Sequence, residues 1–287
     1  MGKAYLAFDV GGTTIKYALL DAQLHISQRH QISTEQNQDG HILKQLIKIA
    51  KATQAIVELS GIGVSTAGIV DEHGTIQYAS GTIPGYIGTE LGKQLHEYTG
   101  LLVSVINDVD AALMGELGLG IAKGCHNVYS LALGTGIGGA CWLDGKLIHG
   151  AHRQANAIGY YPSVDGTTYE QQAATVSLHD QLKIKGIDVP MLFAQARSGS
   201  SDALAILQTW ASRVATGIVN VILTLDPALV IVGGAVAKQG KFLEELLTNA
   251  VIAQLPPNFL HTKIRVSQLS NDAQLVGAVV AVTQGVK

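Results

Sequence analysis

The sequence carries little charge and little cysteine for its length. Asp, Glu, Lys and Arg make up only 14% of 287 residues, and the formal net charge is −3. No basic run or cluster occurs, which argues against nucleic acid as a partner. The two cysteines, Cys125 and Cys141, lack CxxC spacing and lie in apolar-flanked stretches. They are expected as buried thiols, not as a disulfide or a metal site. Long apolar runs are not expected either: no stretch approaches the length of a membrane span, and LVGAVVAV at 275–282 is far too short. Asp9 interrupts the N-terminal apolar stretch too early for a signal peptide, and Leu6 stands where a myristoylation signal needs Ser or Thr. The expectation is a cytoplasmic protein with no membrane partner. No low-complexity linker is visible. Apolar residues, by contrast, reach 47%, enough for one large domain or two smaller ones with proper cores.

The first informative stretch is LAFDVGGTTIKYALLDA, residues 6–22, in which a core-like run is cut by Asp9, Gly11, Gly12, Thr13 and Thr14. Taken alone it fits two readings. Gly-Gly between β-type runs is an ordinary hairpin turn. A turn lined with backbone N–H groups and two hydroxyls can also hold phosphate oxygens. It is not a Walker A loop, which needs G-x-x-x-x-G-K-[ST] leading into a helix, and it lacks the third glycine and helix of a dinucleotide fingerprint. YSLALGTGIGGACWLDGKLIHG at 129–150 repeats the pattern of strand, Gly/Thr turn, strand and Asp-Gly. Two related halves, each with a phosphate-contacting hairpin, are therefore expected to face each other across a cleft.

Between and beyond the turns, strand and helix signals alternate. Ile42, Leu46, Ile49 and Ala50 have helical spacing, and 89–100 reads as a short helix closed by Gly100. LSGIGVSTAG at 59–68 reads as a buried strand ending in Gly68; LLVSVIND is another, followed by a helix over 109–120. Over 203–227, Leu207, Ala211, Val214, Ile218, Val221 and Leu225 share one face, and Asp226-Pro227 stops the helix. ALVIVGGAVA then gives a strand and Gly-Gly, with a helix near 240–254. Alternation on this scale means an α/β fold. Asn107-Asp108 falls where a strand ends and a helix begins. Both residues suit helix capping. In open α/β folds ligands also bind at the carboxyl ends of strands, where an Asp could accept a proton from a hydroxyl attacking a γ-phosphate. The two roles are compatible.

FDVGGTTIK, VSTAGIVDEHGTI, IPGYIGTELGKQL, INDVDAALMGE, LGTGIGGACWLDGKLIHGAH, LVIVGGAVA and AQLVGAVV occur in this order. The set resembles the ROK family (repressor, ORF, kinase) of actin-like sugar kinases over nearly the whole chain. The resemblance implies an α/β actin-like ATPase (ribonuclease H-like) fold, with two α/β domains flanking a cleft and closing on sugar and nucleotide. It implies a smaller domain of 1–108 plus 271–287 and a larger one of 109–270, through which the family commonly dimerises. The implied activity is ATP-dependent phosphorylation of a hexose or hexoside, at O6. By resemblance, Asp9, Gly11, Gly12, Thr13 and Thr14 lie near Mg²⁺ and phosphates, with Asp9 reaching the ion through water. Gly134, Thr135 and Gly136 contact phosphates, and Gly233 and Gly234 lie beside the adenosine. Gly68 and Asn107 contact the sugar, and Asp108 is the general base.

The chain departs from the pattern at 153–175. Tyr160 stands at the family's zinc-ligand histidine and no cysteine-rich loop follows, so no structural zinc is expected. His149 and His152 are read as surface or hydrogen-bonded residues. A tyrosine there resembles the zinc-less subgroup similar to β-glucoside kinases. Ala157 replaces a glutamate that hydrogen-bonds the sugar near its anomeric end. Asn156 could take over that contact, and Glu170 matches the family's later sugar-contacting glutamate. The alternative to a kinase with a shifted sugar preference is a sugar-binding sensor of the same fold. A repressor would carry an N-terminal helix-turn-helix, which this sequence does not show ahead of the first strand.

Overall fold

The protein is described by a computed structural model that covers residues 3–79, 81, 83–183 and 186–286. In chain order the first elements are β1 (Ala4–Val10), β2 (Thr14–Asp21), β3 (Ile26–Ser33), α1 (His41–Gln54), β4 (Leu59–Thr66), β5 (Ile69–Val70), β6 (Ile76–Tyr78) and α2 (Leu91–Thr99). Next come β7 (Val103–Asn107), α3 (Asp108–Gly118), β8 (Val128–Leu133), β9 (Ile137–Leu143), β10 (Lys146–Leu147), α4 (Tyr169–Ala173), α5 (Thr175–Lys183) and α6 (Val189–Arg197). The last are α7 (Ser201–Leu225), β11 (Leu229–Gly233), α8 (Lys241–Ile252), β12 (Lys263–Val266) and α9 (Ala273–Gln284).

Two compact units result. The first gathers the chain up to Lys123, Gly150–Gln154 and everything from Asn271; the second holds Gly124–His149 and Ala155–Ser270. The first unit thus extends past the expected boundary at 108. The reason is helix α3, whose Ala111, Leu113 and Met114 are buried. The helix packs on α9 so closely that a Cβ on Gly277 would collide with the Ala111 carbonyl.

Each unit is built on a five-stranded sheet, in the orders β3-β2-β1-β4-β7 and β10-β9-β8-β11-β12. The directions match as well. An antiparallel hairpin (β1–β2, β8–β9) carries a further antiparallel edge strand on one side, and two parallel strands follow on the other. The repeat read from the glycine turns is therefore a repeat of topology. Central β1 is buried from Tyr5 to Val10, as expected for a strand covered on both faces. Edge strand β3 is almost wholly exposed, and its polar sequence ISQRHQIS blunts that edge.

Helix α7 is long and apolar enough to cross a membrane by length and composition alone, which corrects the expectation that no segment approaches that length. Within the second unit it is a core helix: Leu207, Ala211, Val214, Ile218 and Val221 are buried together with Trp210, Ala215 and Ile222. Ser200 caps its start, and Asp226 ends it with left-handed backbone (φ 44°). Leu225, expected on the same face, is only partly buried. Cys141 is buried, whereas Cys125 is partly exposed in the segment leading to β8, and neither is in a disulfide.

Candidate functional site

In the first unit, residues 11–13 link β1 to β2, and the Gly11 N–H donates to the Thr14 carbonyl at 2.9 Å. Thr34, just past β3, pins the turn from behind. Its N–H donates to the Thr13 carbonyl at 3.0 Å and its hydroxyl to the Gly12 carbonyl at 2.9 Å. Thr34 is 1% exposed, so these bonds are shielded from water. With both carbonyls tied to the protein and the Gly11 N–H on Thr14, the amides of Gly12 and Thr13 are the groups left to face an anion. The sequence reading missed Thr34, because nothing in the sequence just past β3 marks it out.

Strand register then assembles the carboxylate. Asp9 on β1 lies opposite Lys16 on β2 and opposite Ser65 on β4. The Ser65 hydroxyl donates to Asp9 Oδ1 at 3.0 Å, and the Lys16 ammonium approaches Oδ2 at 3.4 Å. Asp9 is 9% exposed and Ser65 fully buried, which leaves the carboxylate paired but fixed in place. Neither partner was singled out from sequence, although the hairpin period would have placed Lys16 across from Asp9.

At the carboxyl end of β7, Asn107 is the N-cap of α3. Its Oδ1 accepts from the Val109 N–H at 2.9 Å and its Nδ2 donates to the Gly68 carbonyl at 2.9 Å. One amide hydrogen remains for a ligand. Gly68, expected to contact sugar, serves here to hold Asn107. Its φ of +101° and the Tyr78 carbonyl packed against it exclude a side chain. Asp108 is the first residue of α3. Its Oδ1 accepts from the Val109 N–H at 3.0 Å, and capping is already done by Asn107, so Oδ2 is not needed by the helix. Burial, and next the charge of Asp9, raise the Asp108 carboxyl to about 6.

In the second unit, Gly134, Thr135 and Gly136 turn β8 into β9. The Gly134 N–H donates to the Gly136 carbonyl at 3.0 Å, and the Thr175 N–H donates to the Gly134 carbonyl at 3.0 Å. Glu170 Oε2 accepts from the Ile137 N–H at 2.9 Å, so this carboxylate stands at the turn. Gly233 pairs with Ala132 in register. Gly234, at φ +90°, packs against the Leu133 carbonyl, which brings this glycine pair alongside the second turn. Asn156 has left-handed backbone (φ 68°), and its Nδ2 donates to the Ile148 carbonyl at 2.8 Å. Its Oδ1 and one Nδ2 hydrogen are left over. Ala157 and Tyr160 are exposed. Among the described residues, no group of three or more His, Cys, Asp or Glu could hold a metal ion.

The ROK family profile matches residues 5–284. The chain belongs to the ROK family. An uncharacterized protein of Clostridium perfringens is 32% identical to it over 96% of both chains. The N-acetylmannosamine kinase of Salmonella arizonae is 26% identical over 95% of this chain and 96% of its own. A ROK glucokinase from Streptomyces griseus, solved with glucose and AMPPNP, superposes with a TM-score of 0.82 at 24% identity, over 98% of this chain and all of the other. The two matching sheets are this ROK protein's version of the actin-like ATPase fold shared by those kinases. By kinship it is a sugar kinase, a phosphotransferase with an alcohol acceptor.

Proposed function

We propose that this ROK protein transfers the γ-phosphate of ATP to the O6 hydroxyl of a hexose or hexoside. The observation that carries the reading is Asp108. It sits at the carboxyl end of a parallel strand, is held by backbone on one oxygen, and is near enough to feel the charge of Asp9. Ionised, its second oxygen accepts the proton of a sugar hydroxyl as that oxygen attacks phosphorus. The remaining amide hydrogen of Asn107 orients a neighbouring hydroxyl. The pinned turn at Gly11–Thr13 offers the amides of Gly12 and Thr13 to phosphate oxygens, the turn at Gly134–Gly136 offers those of Thr135 and Gly136, and Gly233-Gly234 gives a side-chain-poor surface for the adenosine. Phosphoryl transfer needs mainly positioning and charge neutralisation, which these groups supply.

Asp9 suits Mg²⁺. It is a hard oxygen donor already anchored by Ser65 and Lys16, and Mg²⁺ favours one or two carboxylates together with retained waters and phosphates. When bound, the ion neutralises charge developing on the phosphates. Asp9 would hold it through water.

On the sugar side, Ala157 offers no acceptor, and Asn156, with one Nδ2 hydrogen on the Ile148 carbonyl, keeps its other amide hydrogen to donate to an anomeric oxygen that carries no hydrogen of its own. This supports substrates whose anomeric oxygen is substituted, such as glycosides or disaccharides. The test is to incubate the protein with MgATP and paired free and substituted hexoses, then locate phosphate in the product by ³¹P–¹H NMR. Phosphate at O6, with the substituted sugar preferred, is expected; phosphate on another hydroxyl would overturn the O6 assignment.

Two kinetic expectations arise here. Only ionised Asp108 can take the proton. From the value of about 6, kcat/KM is flat above that pH and falls tenfold for each pH unit below it. A pH–rate profile with its acid limb near 4 would contradict the assignment. Thr34→Val removes the hydroxyl that holds the Gly12 carbonyl while keeping the side-chain volume. The loss is about 1 kcal/mol, read as a several-fold rise in the KM for ATP with kcat and the sugar KM little changed.

A further inference from the structure

The segment that replaces the family's cysteine-rich loop does more than connect strands. Thr168 caps α4, its hydroxyl accepting from the Gln171 N–H while the Gln171 side chain accepts from the Thr168 N–H. This box fixes the first turn of a very short helix. Tyr169 is 6% exposed and donates its hydroxyl to the Val214 carbonyl at 2.7 Å, which ties α4 to the core helix α7. Glu170 follows directly, and so leaves a locked piece of backbone aimed at the β8–β9 hairpin.

There its carboxylate fills the space inside the second glycine turn. Oε2 accepts the Ile137 N–H at 2.9 Å. A Cβ on Gly136 would lie 2.5 Å from the same oxygen, and one on Gly159 would lie 3.1 Å from it. Gly136 shows no positive φ. What a methyl group at position 136 would meet first is therefore the Glu170 carboxylate, not backbone. On the other flank, α5 begins with the Thr175 N–H donating to the Gly134 carbonyl at 3.0 Å. The turn is gripped at both ends by consecutive helices.

We infer that Glu170 is a positioning residue whose carboxylate sets the shape of the second phosphate turn, with α4 and α5 acting as its clamp. This rests on the kinase reading for what the turn binds, but not for the clamp itself. The resemblance placed Glu170 on the sugar; the geometry puts one of its oxygens on the turn's backbone. Gly136→Ala acts in the same way from the other side, because a methyl group there displaces the carboxylate. In the first unit Thr34 does the equivalent work on the first turn, through carbonyls where Glu170 uses an amide.

The test measures MgADP affinity by calorimetry and steady-state KM values in Glu170→Ala, Glu170→Gln, Gly136→Ala and the double variant Gly136→Ala/Glu170→Ala. Gln keeps an oxygen that can accept the Ile137 N–H, so its MgADP affinity is expected to stay within about threefold of wild type. Glu170→Ala and Gly136→Ala should each weaken MgADP roughly tenfold. The double variant should be no worse than the weaker-binding single, because both remove one contact. Unchanged MgADP affinity in Glu170→Ala, or strictly additive losses in the double variant, would overturn the clamp. Calorimetry with MgADP requires no turnover. A protein that phosphorylates no sugar, yet loses nucleotide with Glu170→Ala, would sink the kinase reading and leave the clamp standing.

Discussion

Asp108→Asn is expected to lower kcat by roughly 10²–10⁴-fold, the usual worth of a positioned general base, and to leave sugar and ATP affinity within about threefold. The amide has the carboxylate's shape, and its oxygen can still accept from the Val109 N–H, which Asp108 does at 3.0 Å. What it cannot do is take a proton. The same substitution should not cost stability. The Asp108 carboxyl is raised to about 6 from an ordinary 3.8, so the folded protein binds the proton more tightly than the unfolded chain. A raised carboxylate contributes stability below its unfolded pKa and loses it as pH climbs through the folded value. At neutral pH, Asp108 is thus a burden on the fold, and Asp108→Asn should melt at the same temperature or a few degrees higher. Lost turnover with undiminished melting temperature separates a catalytic group from a structural one. A variant that melts early, or that keeps most of its kcat, would remove Asp108 from the base role.

Asp9→Asn should act in two directions at once. Asn keeps an oxygen for the Ser65 hydroxyl but turns a neutral NH₂ toward the Lys16 ammonium, which approaches the native Oδ2 at 3.4 Å. The anionic group proposed to hold Mg²⁺ through water is gone. Loss of such an outer-shell partner costs on the order of 10–100-fold in metal affinity, read as a fall in kcat/KM that raised Mg²⁺ partly restores. Meanwhile the charge of Asp9 is the second cause, after burial, of the raised Asp108 value. With that charge removed, the acid limb of the residual activity should move below about 6, the wild-type position. A slower enzyme that is more tolerant of acid is a result that general damage to the fold would not produce. An unshifted acid limb would mean that the two carboxylates are not coupled.

The fold was legible wherever residues advertised a period or a stop. Asp226-Pro227 marked the end of α7, Gly100 closed α2, and the two glycine turns exposed the repeat that the matching sheets then displayed. Strand β3 was not legible, because an exposed edge strand has no apolar alternation to read. Strand β12 spans only Lys263–Val266, too short for a pattern. The unit boundary was misplaced because Asp108 ends one role and begins another. The strand-to-helix junction resembles a border, yet Gly277 lets α9 press directly on α3 and keeps that helix in the first unit.

The site divides in the same way. Asp9, Asn107 and Asp108 could be named because unusual residue types sit at strand ends. Their supports could not. Ser65 and Thr34 are ordinary strand and loop residues until register and chain reversal bring them to Asp9 and to the Gly12 carbonyl. Glu170 was found by resemblance, but the Ile137 amide it holds is visible only in three dimensions.

The central claim, that this ROK protein is a sugar kinase, is tested most directly by sugar-dependent ADP release. The assay supplies MgATP with a panel of free hexoses, N-acetylhexosamines, β-glucosides and disaccharides, and runs Asp108→Asn in parallel. The account predicts that at least one sugar raises ADP formation by orders of magnitude over the sugar-free rate, and that the variant abolishes the rise. Saturable sugar binding with no sugar-dependent ADP release anywhere in the panel would contradict it, and would leave a kinase scaffold that senses sugars without phosphorylating them.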